Sequence, residues 1–285
     1  MGWITTSLLL ATVTFSSSIG SSLERRDEVP FKLYRGYVIV ARGSIGGLKN
    51  LNLLVDTGAV PSVLDVQIAR KLHLRGQPGR VNVPTGSLAA ERVIVPDIDL
   101  GPLHLSELSV IVQDLSFVQE SLGTHVDGMI GFDVLGQSPF TIDYEAKKLV
   151  FGRIDPSLAT APYSPGLPYA IVLLRVQQET LAILVDTGAS NLVLFQRGVR
   201  NCRSAINTVG RETWVSMGGE MPVAKAELED AFLGVTPWGK RVAYIPDNSA
   251  NQSLGLAGLL GTVALGKRVA FDPVRKVVAW DPKEP

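Results

Sequence analysis

Two aspartates in this chain stand in the same seven-residue setting, Leu53-Leu54-Val55-Asp56-Thr57-Gly58-Ala59 and Ile183-Leu184-Val185-Asp186-Thr187-Gly188-Ala189. In each, an apolar run of the buried-strand type delivers a carboxylate to the point where a core strand ends. The glycine two residues on lets the backbone turn sharply, leaves room for a neighbour and admits conformations that a Cβ would forbid. The threonine between them carries a hydroxyl able to hydrogen-bond to the backbone of a second such loop. One copy alone would leave a carboxylate in apolar surroundings with little compensation. Two copies related by an approximate two-fold axis bring Asp56 and Asp186 face to face. Carboxylates held that close cannot both ionise cheaply, so they share one proton over a broad pH range.

The elements that must position this pair are themselves repeated. Asp56 and Asp186 are 130 residues apart, and so are the glycines of Met129-Ile130-Gly131 and Leu259-Leu260-Gly261. Ile142-Asp143 recurs as Phe271-Asp272, and Leu100-Gly101 as Leu233-Gly234, at nearly the same offset. Several matches in one order, at nearly one offset, imply a duplicated domain. Between the copies, Pro156, Pro162, Pro165 and Pro168 disfavour helix interiors and central strands. This predicts a linker over 154–168 joining lobes at 31–153 and 162–283.

Within each copy the pattern is mostly strand. Tyr37 to Val40 and Tyr169 to Leu174 open the lobes, and each leads through a turn into the strand that ends on Asp-Thr-Gly. Leu64, Ile68 and Leu72 form a helical stripe, with Asp65 near its start and Arg70 and Lys71 near its end, as the helix dipole prefers. Short helices are expected at 132–136 and 262–265. Asp143 and Asp272 each follow a strand and precede a turn-like segment, which favours a structural turn role.

These residues resemble the retropepsin-like aspartic peptidases, especially bacterial forms, with two such domains in tandem. The resemblance covers nearly everything after residue 30. It rests on apolar-apolar-Val-Asp-Thr-Gly-Ala followed, 75 residues after the aspartate in both halves, by the glycine of an apolar-apolar-Gly element. It implies an all-β fold of two pseudo-symmetric, pepsin-like β-barrel lobes with a few short helices and the active-site cleft between them. Asp56 and Asp186 would be catalytic. Thr57, Gly58, Ala59, Thr187, Gly188 and Ala189 would support the loops, and Ile130, Gly131, Leu260 and Gly261 would pack against them. Two flaps would cover the cleft, with Thr85 and Gly86 at one tip and Gly218 and Gly219 at the other; an ordinary surface hairpin fits the same turn chemistry. The implied reaction is peptide hydrolysis without a covalent intermediate: the ionised carboxylate draws a proton from water while the protonated one donates to the carbonyl oxygen. Ala59 and Ala189 stand where pepsin relatives carry Ser or Thr. Loss of that hydroxyl leaves the ionised form less stabilised and predicts an optimum of about pH 5–6.

Other features narrow the field. Lys and Arg together number 27, as do Asp and Glu, so net charge gives no reason to expect nucleic acid or an anionic membrane as partner. The hydrophobic fraction of 46% is that of a chain able to build a core. The single cysteine, Cys202, has no partner for an internal disulfide and no activating neighbour in sequence. His73, His104 and His125 match no metal-ligand spacing, so neither metal nor cofactor is expected. Lys267 completes a run that imitates a phosphate loop, but Arg268 replaces the required Ser or Thr. Trp214 and Trp238 are candidates for a substrate groove, with core packing the commoner role. The apolar stretch from Ile4 to Phe15, followed by small residues, predicts a signal peptide within residues 1–22 and hence export to a periplasm or the exterior. A disordered tail on a cytoplasmic protein is the alternative. The stretch is too short for a comfortable membrane span. The expected partner is a peptide or protein substrate, acted on by a monomer. A non-catalytic peptide binder and a glycoside hydrolase using paired carboxylates are the competing readings. Neither explains why both acids stand in duplicated Thr-Gly loops.

Overall fold

A computed structural model describes residues 27–83, 86–164, 168–201, 206–216, 219–247 and 255–281. The expected signal segment and Cys202 lie outside the described residues. The first half runs β1 (Glu28–Tyr34), β2 (Val38–Ile45), β3 (Leu48–Val55), β4 (Val63–Asp65), α1 (Val66–Lys71), β5 (Gln77–Val83), β6 (Gly86–Leu100), β7 (Leu103–Gln113), α2 (Ser116–Leu122), β8 (Gly128–Ile130), α3 (Phe132–Leu135), β9 (Phe140–Asp143) and β10 (Lys148–Phe151). The second half runs β11 (Ala159–Pro162), β12 (Ile171–Val176), β13 (Glu179–Asp186), β14 (Leu192–Leu194), α4 (Gln196–Asn201), β15 (Ile206–Ser216), β16 (Gly219–Leu233), β17 (Thr236–Pro246), β18 (Gly258–Gly261), α5 (Thr262–Leu265), β19 (Arg268–Asp272) and β20 (Val277–Trp280). The second ten strands follow the order of the first ten. Part of the Pro-rich stretch forms β11, which pairs with β20.

In each half the strand carrying the aspartate is gripped by the strand of the later apolar-apolar-Gly element. β3 pairs in parallel with β8, placing Val55 opposite Ile130, and β13 pairs in parallel with β18, placing Asp186 opposite Gly261. β8 and β18 are in turn bordered on their other side by β4 and β14. Both faces of this layer are covered, so its strands read as continuous apolar runs. Extra pairings of β2 with β6, and of β12 with β16, curl the sheet of each half back on itself.

Beneath both halves runs a shared sheet in the order β11-β20-β19-β9-β10-β1, three strands from each half. Its seam is the antiparallel pair β9–β19, with Phe140 opposite Phe271. These two fully buried rings stack with centroids 4.9 Å apart, and Phe132 meets Phe271 edge-on at 5.9 Å. One hydrophobic cluster therefore continues from Val29 to Trp280 across both halves. Arg268 braces the same sheet with a forked pair to Asp281, at 2.8 Å from both Nε and Nη2, and reaches Asp155 at 3.1 Å.

One sequence expectation changes in detail. The stripe at Leu64, Ile68 and Leu72 predicts a helix from Leu64, yet Leu64 belongs to β4, where it pairs with Val112 of β7 and Gly128 of β8. Strand pairing on both sides outweighs the local helical period, and the helix begins at Val66. Asp65 then caps it: Oδ1 accepts from the Gln67 N–H at 2.8 Å, and Oδ2 accepts from the Leu115 N–H at 3.1 Å. Asp143 and Asp272 do hold turns. Asp143 Oδ1 accepts from the Ala146 N–H, and Asp272 Oδ1 from the N–H groups of Val274 and Arg275.

Because Phe271 sits at the seam, Phe271→Ala is expected to destabilise the whole molecule by about 3–5 kcal/mol in urea unfolding. A single transition by both fluorescence and circular dichroism is expected, whereas separate transitions for the two halves would contradict a shared core.

Candidate active site

The two Asp-Thr-Gly loops meet through their threonines. The Thr57 hydroxyl donates to the Val185 carbonyl at 2.9 Å and accepts from the Thr187 N–H at 3.0 Å. Reciprocally, the Thr187 hydroxyl donates to the Val55 carbonyl at 2.8 Å and accepts from the Thr57 N–H at 2.9 Å. Both threonines are buried. Four crossed bonds thus satisfy groups that the ends of β3 and β13 would otherwise leave unpaired inside the protein.

This clasp fixes the aspartates one residue away. Asp56 Oδ1 accepts from the Gly58 N–H at 2.9 Å, and Asp186 Oδ1 from the Gly188 N–H at 2.7 Å. The need for glycine here is space. A Cβ on Gly58 would lie 2.7 Å from the Asp186 Cγ, and one on Gly188 would lie 3.0 Å from Asp186 Oδ1 and 3.5 Å from both Asp56 oxygens. Neither glycine has the positive φ that sequence reasoning allowed for.

Each aspartate keeps partial access to solvent, yet its carboxyl group is enclosed by protein. Burial is the leading cause that raises the Asp56 pKa, opposed by the Gly58 N–H, by Asp186 and by the Ala59 N–H. Asp186 is raised well above the ordinary value, by burial first and then by the charge of Asp56.

The apolar-apolar-Gly elements lie directly behind the loops. The Ile130 carbonyl accepts from the Asp56 N–H at 2.9 Å, and the Phe132 N–H donates to the Ala59 carbonyl at 2.9 Å. A Cβ on Gly131 would stand 2.3 Å from the Ala59 carbonyl oxygen, and one on Gly261 2.4 Å from that of Ala189. Leu260 is fully buried in the main core, as Ile130 is.

The first loop has a further lock that sequence reasoning missed. The buried Ser62 hydroxyl donates to Asp133 Oδ1 at 2.7 Å and accepts from the Gly131 N–H at 2.8 Å, while the Ser62 N–H donates to Asp133 Oδ2 at 2.9 Å. At the corresponding positions of the second half stand Leu192 and Val263. That contrast between matched positions, polar in the first half and apolar in the second, was the available signal.

β5–β6 pairs up to Val83 opposite Gly86, and β15–β16 up to Ser216 opposite Gly219; Thr85 and Gly218 lie outside the described residues. Trp238 is buried under the guanidinium of Arg241, 4.7 Å from the ring centre, so it packs and lines no groove. Trp214 packs on Tyr244 with centroids 4.5 Å apart. Lys267 pairs with Glu145 at 2.6 Å. His104 pairs with Asp99 at 2.6 Å on the surface, and the exposed His125 pairs with the buried Asp127 at 2.9 Å. Among the described residues, no group of three or more His, Cys, Asp or Glu side chains could hold a metal ion. Nor is any described helix long and apolar enough to cross a membrane.

Taken with its topology, this defines an all-β, pepsin-like fold. Residues 41–134 match a family model described as aspartyl protease. That stretch includes Asp56, Ser62, Gly131 and Asp133 and supports a relationship to aspartic peptidases. It ends before Asp186. No curated protein matches the chain.

Two outcomes follow. Thr57→Val leaves the buried Thr187 N–H and Val185 carbonyl unpartnered, so a loss of about 1–3 kcal/mol per orphaned group is expected in denaturant titrations. The second concerns pH. A carboxyl group whose folded pKa is raised gives stability that is fully present below the unfolded value and lost as pH rises through the folded value. Asp186→Asn removes that titration. Its stability relative to the parent should therefore be greatest at neutral pH and decline on acidification, measured by urea melts across the pH range; an opposite slope would contradict the raised pKa.

Proposed function

We propose that this chain is a single-chain aspartic endopeptidase, made of two tandem aspartyl protease halves that each contribute one carboxylate. The observation that carries the reading is the reciprocal Thr57–Thr187 clasp, which supports two carboxyl groups close enough that a Cβ on Gly188 would lie 3.0 Å from Asp186 Oδ1 and 3.5 Å from both Asp56 oxygens. Such a pair retains one proton where isolated aspartates have lost theirs. The ionised member takes a proton from a water held between them, and that water attacks the substrate carbonyl carbon. The protonated member donates to the carbonyl oxygen, giving a tetrahedral intermediate that collapses with protonation of the leaving amine. Asp56 and Asp186 are the catalytic residues in this reading; the Thr, Gly and Ala residues beside them hold the loops, and the two long hairpins serve as flaps. One chain supplies both acids, so a monomer suffices. Residues 1–22 act as an export signal, and the working compartment is a periplasm or the exterior.

A non-catalytic peptide binder would need neither paired carboxylate, and nothing at the site favours that alternative. The test is cleavage of a peptide library by the purified protein, with Asp56→Asn and Asp186→Asn as controls. Each substitution is expected to reduce cleavage by roughly 10²–10⁴-fold or more, since each removes one partner in proton transfer. Cleavage that survives either substitution would sink the assignment. The pH–rate profile should be bell-shaped with a mildly acidic optimum, and a maximum near about pH 3 would contradict the raised pair.

A further inference from the structure

The second active-site loop lacks the Ser62–Asp133 lock of the first, and a different hydrogen bond lies behind it. Thr262 directly follows Gly261 and is completely buried. Its hydroxyl shares a 2.6 Å hydrogen bond with the hydroxyl of Tyr144, a residue of the first half 118 positions earlier. Tyr144 is itself well placed to act as a strut. Its N–H donates to the Lys267 carbonyl at 2.9 Å, and its ring meets Phe31 edge-on with centroids 6.3 Å apart. Both backbone and ring are thus fixed to the sheet beneath the site, leaving the hydroxyl little freedom to move.

Neither partner of this bond is repeated. The position corresponding to Thr262 in the first half is Phe132, and that corresponding to Tyr144 in the second half is Pro273. The two loops are therefore held by unrelated polar contacts. One lies within the first half; the other crosses from the first half to the second.

We propose that Tyr144 is a positioning residue for Asp186, acting through Thr262 to hold the second loop at its working distance from Asp56. Thr262 is joined to Gly261, whose backbone lies against Ala189: a Cβ on Gly261 would stand 2.4 Å from the Ala189 carbonyl oxygen. The path from the phenol to the loop thus consists of one short hydrogen bond, one peptide link and one backbone contact. Proximity has an electrostatic counterpart. The Tyr144 hydroxyl is raised in pKa by burial, with the Thr262 hydroxyl opposing and the negative charge of Asp186 adding to the rise. It therefore stays a neutral phenol and can keep the bond throughout the range in which the carboxylates titrate.

The inference rests on the peptidase reading, and the experiment separates the two. Peptide cleavage is measured for the full chain and for Tyr144→Phe, Thr262→Val, Thr262→Ser, the Tyr144→Phe/Thr262→Val double variant and Asp56→Asn. Tyr144→Phe is expected to lower kcat roughly 10- to 100-fold with KM unchanged, as small misplacements of reacting groups do. The basic limb of its pH profile should move to lower pH, because a loop that drifts from Asp56 feels less of its charge. A merely structural tie would leave that limb in place. Thr262→Ser should recover the activity that Thr262→Val loses, and the double variant should be no worse than either single variant, as expected for partners in one bond. Wild-type kcat and pH profile in Tyr144→Phe, with Asp56→Asn inactive, would overturn the positioning role alone. So would a double variant whose loss is the product of the single losses. Undiminished cleavage by Asp56→Asn would overturn the peptidase reading itself.

Discussion

The crossed hydrogen bonds of Thr57 and Thr187 are the constraint on which the rest of this structure depends. Each hydroxyl donates a hydrogen bond to a carbonyl of the opposite half and accepts one from the opposite N–H. The arrangement can be satisfied only by two loops at once, because a single loop would present buried donors and acceptors with nothing to meet them. Satisfying the backbone and bringing together two acids are thus one event. The electrostatic cost of crowding carboxyl groups in a partly desolvated place is met by retention of a proton, which is the property that acid–base chemistry requires.

The surrounding architecture can be understood as support for that clasp. β8 and β18 run parallel to the strands that carry the aspartates, and the glycines that end the apolar-apolar-Gly elements allow a backbone approach that any side chain would block. The shared sheet below, closed at Phe140 and Phe271, prevents the halves from drifting apart. Around this common plan the two halves differ. The first holds its loop with Ser62 and Asp133, while the second has apolar residues at those positions and receives Tyr144 from its neighbour. Pseudo-symmetric loops are in this way held in place by asymmetric means.

What could be read in the sequence was what the chain says twice. The Asp-Thr-Gly settings, the constant spacing to the following glycine and the recurring strand–turn–strand units at Asp143 and Asp272 all announce themselves by repetition, and with them the all-β character of the fold. Contacts made once were invisible. Ser62 and Asp133 are 71 residues apart, Tyr144 and Thr262 118, and only topology brings either pair together. Leu64 was misleading for a related reason: its spacing to Ile68 and Leu72 is helical, but pairing to strands distant in sequence decides its state. At Gly58 the sequence offered room for a neighbour and an unusual backbone angle as reasons for glycine, and only the first applies, the neighbour being the carboxyl group of Asp186.

The central claim is that Asp56 and Asp186 titrate as one coupled pair. It is tested most directly by NMR titration of carboxyl-¹³C-labelled aspartates in the intact protein, with Asp56→Asn used to assign and uncouple the pair. The account predicts that one titration lies well above the ordinary aspartate range and that the Asp186 titration shifts downward when the Asp56 charge is removed. Two independent titrations in the ordinary range, with Asp186 unmoved by the substitution, would contradict it.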